Sequence, residues 1–281
     1  MRATLAVTCL AALVAGVLAA SSLADTTPPP ATTTTATTPV VTTPIATTTN
    51  ATPPTPKPKP ATKTVRSGTA ATRTWHAQTV FPAAGELNVN AVNVRRSPDP
   101  KAPIVRVMHQ FREDYRTQEI LAMSVRIGKD KKPWYRINLP MRPNGTYGWI
   151  PARAASLKPT VSEIVVHRST RTIDIFWHGK LALHAPVAIG ATGMETPIGH
   201  FYVAARFVPY QDPFLGVFAV ETSAYSKLTE WPGGGVVGIH GTSAPQLLGQ
   251  AVSHGCVRVS NQTAAAMRKL APLGTPITIK E

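Results

Sequence analysis

Residues 239–261 read IHGTSAPQLLGQAVSHGCVRVSN, and the rest of the chain is organised around this stretch. His240 lies sixteen positions before Cys256, and His254 lies two positions before it. A thiol acts as an acyl-transfer nucleophile when a base takes its proton and hydrogen-bond donors stabilise the oxyanion. Residues 253–256, Ser-His-Gly-Cys, supply a thiol and backbone donors, and His240 supplies a base. The stretch therefore predicts a cysteine nucleophile that a histidine activates.

The chemistry of a thiol explains this choice of residues. A free thiol has a pKa of about 8.5, so only a few per cent of it is thiolate at neutral pH, and a neighbouring imidazole can accept its proton. Gly255 allows the backbone to bend so that consecutive N–H groups, including that of Cys256, point at one spot. Gly241 directly follows His240, and its carbonyl could hold the imidazole N–H.

These residues resemble the signature of the L,D-transpeptidases of bacterial cell walls, the YkuD family. In that family a His-Gly or His-Ser is followed by a variable loop and then by Ser/Thr-His-Gly-Cys. Residues 196–201, Thr-Pro-Ile-Gly-His-Phe, are similar to the family's upstream Thr-Pro-x-Gly-x-Phe segment. The match runs from about Ser162 to the C-terminus and implies a catalytic domain of this type there.

The resemblance implies the two central roles of a cysteine-dependent L,D-transpeptidase. Cys256 would be the nucleophile, and His240 would act as general base and then as general acid. Gly241 would orient the imidazole of His240 through its carbonyl. His240 is favoured over His254 as the base, because the backbone of His254 is what the oxyanion site would use.

The remaining residues of the motif are assigned to the oxyanion and to the substrate. The amides of His254, Gly255 and Cys256 would form the oxyanion hole. Arg258 and Ser253 are the predicted substrate-binding residues, with Arg258 placed to contact a substrate carboxylate. The resemblance implies no cofactor and no metal.

The reaction that the resemblance implies takes place on peptidoglycan stem peptides. Cys256 would attack the third residue of a tetrapeptide stem, release D-alanine and form a thioester. An amine of a neighbouring stem would resolve the thioester into a 3→3 cross-link, whereas water would make the same site an L,D-carboxypeptidase. Carbapenems would be expected to acylate Cys256. The alternative that involves no catalysis is a protein that only binds the cell wall.

Other readings of the same residues fit the sequence less well. His240, His254 and Cys256 could bind zinc, but no second cysteine or carboxylate pair stands at ligand spacing. A redox thiol would usually have a Cys-x-x-Cys partner. The NlpC-type wall peptidases also use cysteine and histidine, but there the cysteine comes first; since such sites are recognised by geometry, this order weakens that alternative without excluding it.

The N-terminus predicts export. Residues 1–24 combine Arg2, an apolar run from Leu5 to Ala20 and a small-x-small site at residues 22–24, which is typical of a secretory signal peptide. Cleavage is favoured over an uncleaved anchor, and it would place the protein in the periplasm or cell wall. Cys9 would leave with the peptide, so the mature chain would have no intramolecular disulfide.

Residues 25–84 are predicted to be a linker. Between Thr26 and Thr64, 27 of 39 residues are threonine or proline, which cannot build a packed core and favours an extended, polyproline-like tether. Residues 65–84 are ambiguous and could continue the linker.

Residues 85–158 predict a small antiparallel barrel of short strands. Val92–Arg95, Trp134–Ile137 and Gly148–Ile150 resemble the bacterial SH3-like wall-binding modules. Residues 85–157 contain thirteen Lys and Arg but only six Asp and Glu. This excess favours anionic wall polymers, which an exported chain meets before nucleic acid, although scattered charges equally fit a solvated surface.

Residues 159–281 predict a β-sandwich with one short helix, in agreement with the fold that the resemblance implies. The helix is predicted at Asn261–Leu270, with Ser260 or Asn261 as its N-cap. The chain as a whole is therefore predicted to be mainly β, with an SH3-like barrel followed by an L,D-transpeptidase-type catalytic domain.

Overall fold

Residues 80–230 and 232–281 are described by the structure, which is a computed structural model. The predicted signal peptide, Cys9 and nearly all of the predicted linker lie outside the described residues. Within 80–230 and 232–281 we find no helix with the length and apolar character that crossing a bilayer requires.

The first part of the described chain is a seven-stranded antiparallel sheet with the strand order β3-β2-β6-β5-β4-β1-β7. Its strands are β1 Ala83–Leu87, β2 Ala91–Arg95, β3 Ile104–His109, β4 Glu119–Ile127, β5 Pro133–Asn138, β6 Tyr147–Pro151 and β7 Ala155–Pro159.

Alternating apolar residues explain why this sheet encloses a core. In β2, Val92 and Val94 are buried while their neighbours are exposed or half-buried, because side chains alternate between the two faces of a strand. Residues from all seven strands contribute to one apolar cluster, so the sheet curls around a single core. The edge strands β3 and β7 do not pair with each other. The SH3-like identity of this module stays a prediction.

The second part is an eight-stranded sheet with the order β10-β9-β8-β17-β12-β13-β14-β16, beside a two-stranded sheet of β11 and β15. The strands are β8 Ser162–His167, β9 Thr172–Trp177, β10 Lys180–Pro186, β11 Ile189–Gly190, β12 Gly199–Phe207, β13 Ala219–Tyr225, β14 Val236–His240, β15 Ala251–Ser253, β16 Val257–Arg258 and β17 Pro276–Lys280.

Strand β12 joins two halves of this sheet. Gly199–Tyr202 pair with β17, and Val203–Phe207 pair with β13. Both halves contribute to one core, which includes Ile164 and Ile279 from one half and Ile239 from the other. The mainly β prediction is confirmed, and the two layers of the predicted sandwich belong to one sheet that continues through β12.

Among residues 80–230 and 232–281 there is one α-helix, α1, which spans Asn261–Leu270 as predicted. Ser260 is its N-cap, since its Oγ accepts a hydrogen bond from the Thr263 amide at 3.0 Å. The helix buries Ala264 and Met267 against the core. Because α1 starts directly after β16, the capping residue fixes where the chain leaves the sheet.

Three features of residues 162–281 depart from the sequence-based prediction. The apolar pattern of residues 181–189 predicts a single strand, but the structure divides it into β10 and β11, since Pro186 at the end of β10 has no N–H to donate. The short strands β15 and β16 were not predicted, because two or three residues carry no recognisable alternation. In the first sheet, β1 begins at Ala83, inside the predicted linker.

The two sheets touch each other along β4 and β12–β13. The Tyr202 hydroxyl donates to the Glu119 carbonyl at 3.1 Å, and Arg112 and Arg116 both contact the carboxylate of Glu221 on β13. Glu221 pairs with Gly238 on β14. The first sheet therefore contacts the strand next to the one that carries His240.

Candidate active site

Cys256 and His240 lie on neighbouring parallel elements of the second sheet. Strands β14 and β16 pair in parallel, with Ile239 opposite Val257, and Cys256 directly precedes β16. The Gly238 amide donates to the Cys256 Sγ at 3.3 Å. Side chains two positions apart on a strand share a face, so the imidazole of His240 lies on the face that Gly238 leaves open.

Gly238 brings the sulfur and the imidazole together. The point where a Cβ at position 238 would stand is 3.7 Å from Cδ2 of His240 and 3.8 Å from Sγ of Cys256. Both side chains therefore lie against the same face of this glycine. The importance of Gly238 was not predicted, because its place between the two groups depends on the pairing of β14 with β16.

The His240 ring has one defined tautomer. Its Nδ1 lies 2.7 Å from the carbonyl of Gly241, and a carbonyl can only accept, so Nδ1 carries the proton and Nε2 has the free lone pair. The predicted position of the Gly241 carbonyl beside the imidazole is therefore observed. His240 is only 2 % exposed.

Burial lowers the pKa of His240 below its ordinary value of 6.5. The hydrogen bond to Gly241 opposes this shift, whereas the positive charge of Arg258 adds to it. Burial also raises the pKa of the Cys256 thiol, against the smaller opposing effects of the Gly238 amide and Arg258. At neutral pH the two groups therefore rest as a thiol and an uncharged imidazole, and the imidazole can act as a base.

The loop before Cys256 is closed by its own hydrogen bonds. The Ser253 hydroxyl donates to the Cys256 carbonyl at 2.6 Å and accepts from the Gly255 amide at 3.1 Å. Ser253 is 1 % exposed, so its hydroxyl holds the loop and does not face a ligand. This position does not agree with the predicted substrate contact of Ser253.

The same hydrogen bonds bear on the predicted oxyanion donors. The Gly255 amide is used within the loop by Ser253, so in this conformation it does not point to the space beside the sulfur. Gly255 has a φ of 119°, a conformation that glycine adopts readily, and this turn brings Cys256 into line with β16. His254 is exposed, in contrast to the buried His240.

Thr196 connects the loop that carries Cys256 to strand β11 through hydrogen bonds. Its hydroxyl donates to the Gly255 carbonyl at 2.9 Å and accepts from the Gly190 amide at 2.9 Å, and the residue is fully buried. The Thr-Pro-x-Gly-x-Phe pattern marked this threonine in the sequence, but its role was not predicted, because the bond to Gly255 spans 59 positions.

Arg258 lies beside the site with part of its guanidinium unsatisfied. Its carbon Cζ is 4.6 Å from the centre of the Phe214 ring, which itself lies 5.7 Å from the His240 ring. Within 80–230 and 232–281, Nε of Arg258 is buried and has no hydrogen-bond partner. A buried donor without a partner is costly, so this arginine is a candidate for contact with an anionic group. Across the same residues no cluster of three His, Cys, Asp or Glu side chains could hold a metal ion.

Part of this chain is similar to known proteins. Residues 162–279 match the YkuD family model, the L,D-transpeptidase catalytic domain. The Bacillus subtilis (strain 168) protein YkuD is 30% identical over 116 residues, which are 41% of this chain and 64% of the relative. YqjB of the same organism is 27% identical over 127 residues, 42% of this chain and 70% of the relative. This chain thus spans just under two thirds of the length of YkuD.

Solved structures of L,D-transpeptidases are similar at low sequence identity. One from Mycobacterium smegmatis is 17% identical with a TM-score of 0.37, over 53% of this chain and 90% of that chain. One from Mycobacterium tuberculosis H37Rv is 14% identical with a TM-score of 0.40, over 73% and 97%. Residues 162–279 are thus similar to the L,D-transpeptidase catalytic domain that the YkuD family model describes.

Proposed function

We propose that this protein is a cysteine-dependent L,D-transpeptidase that forms 3→3 cross-links between peptidoglycan stem peptides. The observation that carries the proposal is the position of Cys256 Sγ and the His240 ring against one face of Gly238, with the Nδ1 proton of His240 held by Gly241. This arrangement leaves the basic nitrogen of His240 available to a thiol that would otherwise stay protonated.

The first half-reaction forms a thioester. Nε2 of His240 accepts the thiol proton as the Cys256 sulfur attacks the carbonyl carbon of the third stem residue. The tetrahedral intermediate collapses with cleavage of the bond to the terminal D-alanine, and His240 returns the proton to the departing amine. Backbone amides of the cysteine loop are the candidate donors to the oxyanion.

The second half-reaction resolves the thioester. A side-chain amine of a neighbouring stem attacks the thioester carbonyl and loses a proton to His240. The new amide bond forms as the carbon–sulfur bond breaks, and the thiolate of Cys256 takes the proton back. If water attacks in place of the amine, the same intermediate gives a shortened stem, which is the L,D-carboxypeptidase reaction.

Arg258 is the proposed contact for a substrate carboxylate. The terminal D-alanine carries a carboxylate, and a buried guanidinium nitrogen without a partner is suited to an anionic group near the sulfur. We assign Ser253 a different role from the one predicted, as a residue that holds the loop, because its hydroxyl already bonds to Cys256 and Gly255.

The product spectrum on purified disaccharide-tetrapeptide tests this proposal. We expect dimers with the mass of two stems less one D-alanine, detected by liquid chromatography and mass spectrometry. Shortened tripeptide monomers alone would assign the carboxypeptidase reaction. Absence of both products would contradict an enzymatic role and favour a non-catalytic wall-binding protein.

A groove in the first sheet supports a second, binding role for the same protein. The groove has a volume of about 590 Å³ and lies over buried Trp134. Its one carboxylate, Asp130, accepts a hydrogen bond from the Trp134 indole at 2.9 Å. The basic residues that line it are Arg95, Lys131, Lys132 and Arg153. This excess of positive charge is suited to an anionic wall polymer.

Replacing Lys132 and Arg153 together by alanine is expected to weaken retention on purified anionic wall polymer several-fold at low ionic strength. The difference should disappear near 1 M salt, where the Debye length is about 3 Å. Lys180→Ala with Lys280→Ala removes the same charge from exposed positions of the second sheet and is the matched control. Equal losses in both double variants would contradict a site in the groove.

The site of action follows from the proposed substrate. Peptidoglycan lies outside the cytoplasmic membrane, so the protein must be exported to work on it. We propose that the signal peptide of residues 1–24 is cleaved and that the threonine- and proline-rich linker carries the folded part into the periplasm or wall, where cross-linking would contribute to cell shape.

A further inference from the structure

The loop between β5 and β6 of the first sheet forms hydrogen bonds with the end of β13, close to the loop that carries Cys256. Asn144, between β5 and β6, donates from Nδ2 to the Tyr225 carbonyl at 2.7 Å and accepts from the Tyr225 amide at Oδ1 at 3.0 Å. Tyr225 is the last residue of β13. The asparagine side chain thus pairs with both backbone groups of Tyr225, as a neighbouring strand would.

Arg142 in the same loop binds the chain that follows. Its Nη2 donates to the carbonyls of Ser226 at 3.0 Å, Leu228 at 3.3 Å and Gly234 at 2.9 Å. Its guanidinium carbon lies 4.6 Å from the centre of the Tyr225 ring. Together, Asn144 and Arg142 satisfy backbone groups of residues 225–228, which we call the 225–228 segment.

The 225–228 segment packs against the residue before the nucleophile. A Cβ placed at Gly255 would lie 2.9 Å from the Cβ of Ser226, so Ser226 stands directly against the Gly255 backbone. Ser226 is only 7 % exposed, and its amide donates to the Gly235 carbonyl at 2.8 Å. A shift of this segment would therefore move the Gly255 backbone and, with it, the position of Cys256.

The segment depends on these bonds because its own strand pairing is irregular. Between Glu221 and Tyr225 the pairing of β13 with β14 shifts in register. A bulge of this kind leaves backbone groups that other parts of the protein must satisfy. Here the partners are supplied by side chains more than 80 positions earlier in the chain.

We propose that Asn144 and Arg142 are positioning residues for the reaction of Cys256, so that the first sheet helps to set the reactivity of the thiol. The inference rests on the proposed function for its effect on turnover. The effect on the thiol itself can be measured without any peptidoglycan substrate.

The test compares the full-length protein with Asn144→Ala, Asn144→Asp and Arg142→Lys. The readout is the rate at which iodoacetamide alkylates Cys256 across a range of pH, with the modified peptide identified by mass spectrometry. We expect Asn144→Ala to lower the alkylation rate by about tenfold to a hundredfold, as for a misplaced reacting group. In turnover we expect kcat to fall by a similar factor and KM to change less. Asn144→Asp keeps the acceptor for the Tyr225 amide and should be intermediate.

Asn138→Ala is the matched control. Asn138 also joins the two sheets, since its Nδ2 donates at 2.7 Å to the carbonyl of His200 on β12. Its removal is expected to leave the alkylation rate within about twofold of that of the wild type. If circular dichroism shows that Asn144→Ala does not fold, Asn144→Asp and Arg142→Lys are compared with the control in its place. The Cys256 thiol of each of these two variants is expected to be alkylated more slowly than that of Asn138→Ala.

Two results would overturn the inference. One is wild-type alkylation and turnover in a folded Asn144→Ala protein, or in both conservative variants if that protein does not fold. The other is an equal loss in Asn138→Ala, which would indicate a general effect of the sheet–sheet contact. A wild type that makes no cross-linked product, together with a slow Asn144→Ala thiol, would reject the proposed function but retain the positioning role.

Discussion

Cys256→Ala is expected to lose cross-linking activity on disaccharide-tetrapeptide by a factor on the order of 10⁴ or more, because removal of a nucleophile abolishes the covalent pathway. The family resemblance implies that carbapenems acylate the same sulfur. Intact-mass measurement should therefore show one carbapenem adduct on the wild-type protein and none on Cys256→Ala. Circular dichroism should be unchanged, since the side chain is small and partly exposed.

The chain contains a matched control for this experiment in its second cysteine. Cys9→Ala removes a thiol from the predicted signal peptide, and it should leave both the adduct and the turnover unchanged. Retained turnover in Cys256→Ala would contradict the assignment of the nucleophile. An adduct that persists in Cys256→Ala and disappears in Cys9→Ala would assign the reaction to the other cysteine.

His240→Ala is expected to lower kcat/KM by about 10²- to 10⁴-fold, the usual contribution of a general base. The buried imidazole has its Nδ1 proton held by the Gly241 carbonyl, which leaves Nε2 to take the thiol proton of Cys256. His200→Ala, which changes an exposed histidine of the Thr-Pro-x-Gly-x-Phe segment, is the matched control and should retain wild-type activity. An equal loss in His254→Ala would contradict the preference for His240 as the base.

The pH dependence of kcat/KM distinguishes a neutral thiol and imidazole at rest from a preformed thiolate–imidazolium pair. Burial disfavours the charged form of each group, so the pKa of His240 is lowered and that of Cys256 is raised. His240 must be uncharged to accept a proton, so wild-type kcat/KM should persist as the pH falls through 6.5 and decline only below that value.

The His240→Ala variant should behave differently. Without the base, its residual rate depends on free thiolate and should rise toward the alkaline range, because burial raises the pKa of Cys256 above that of a free thiol. A pH series of kcat/KM and of Cys256 alkylation measures both effects. Rapid alkylation of the wild type at pH 5 would indicate a thiolate–imidazolium pair and would contradict a neutral resting state.

Local patterns in the sequence were sufficient for much of the fold. Alternating side chains with flanking turn residues predict strands at 91–95, 119–127, 172–177 and 236–240, which are the observed bounds of β2, β4, β9 and β14. Helix α1 was also predicted in full, because its cap and its proline- and glycine-containing end are local signals. Short strands such as β16 were missed, because they exist only through pairing with a distant strand.

The geometry of the candidate site was predicted in part. The pairing of His240 with the Gly241 carbonyl could be foreseen, because these residues are adjacent and the motif is specific. The inward position of Ser253 and the use of the Gly255 amide could not be foreseen, since a hydroxyl in a loop can face either the solvent or the backbone. The role of Thr196 depends on a bond to Gly255 that no local pattern indicates.

By itself, the sequence determined which residues are candidates for the chemistry and most of the regular elements, because residue identity, alternation and capping act over a few neighbouring positions. The tertiary structure alone decided which groups meet. The pairing of β14 with β16 brings Cys256 and His240 to one face of Gly238, and the contact of the two sheets brings Asn144 to Tyr225. Such contacts join residues far apart in the chain, so they follow from strand register and packing.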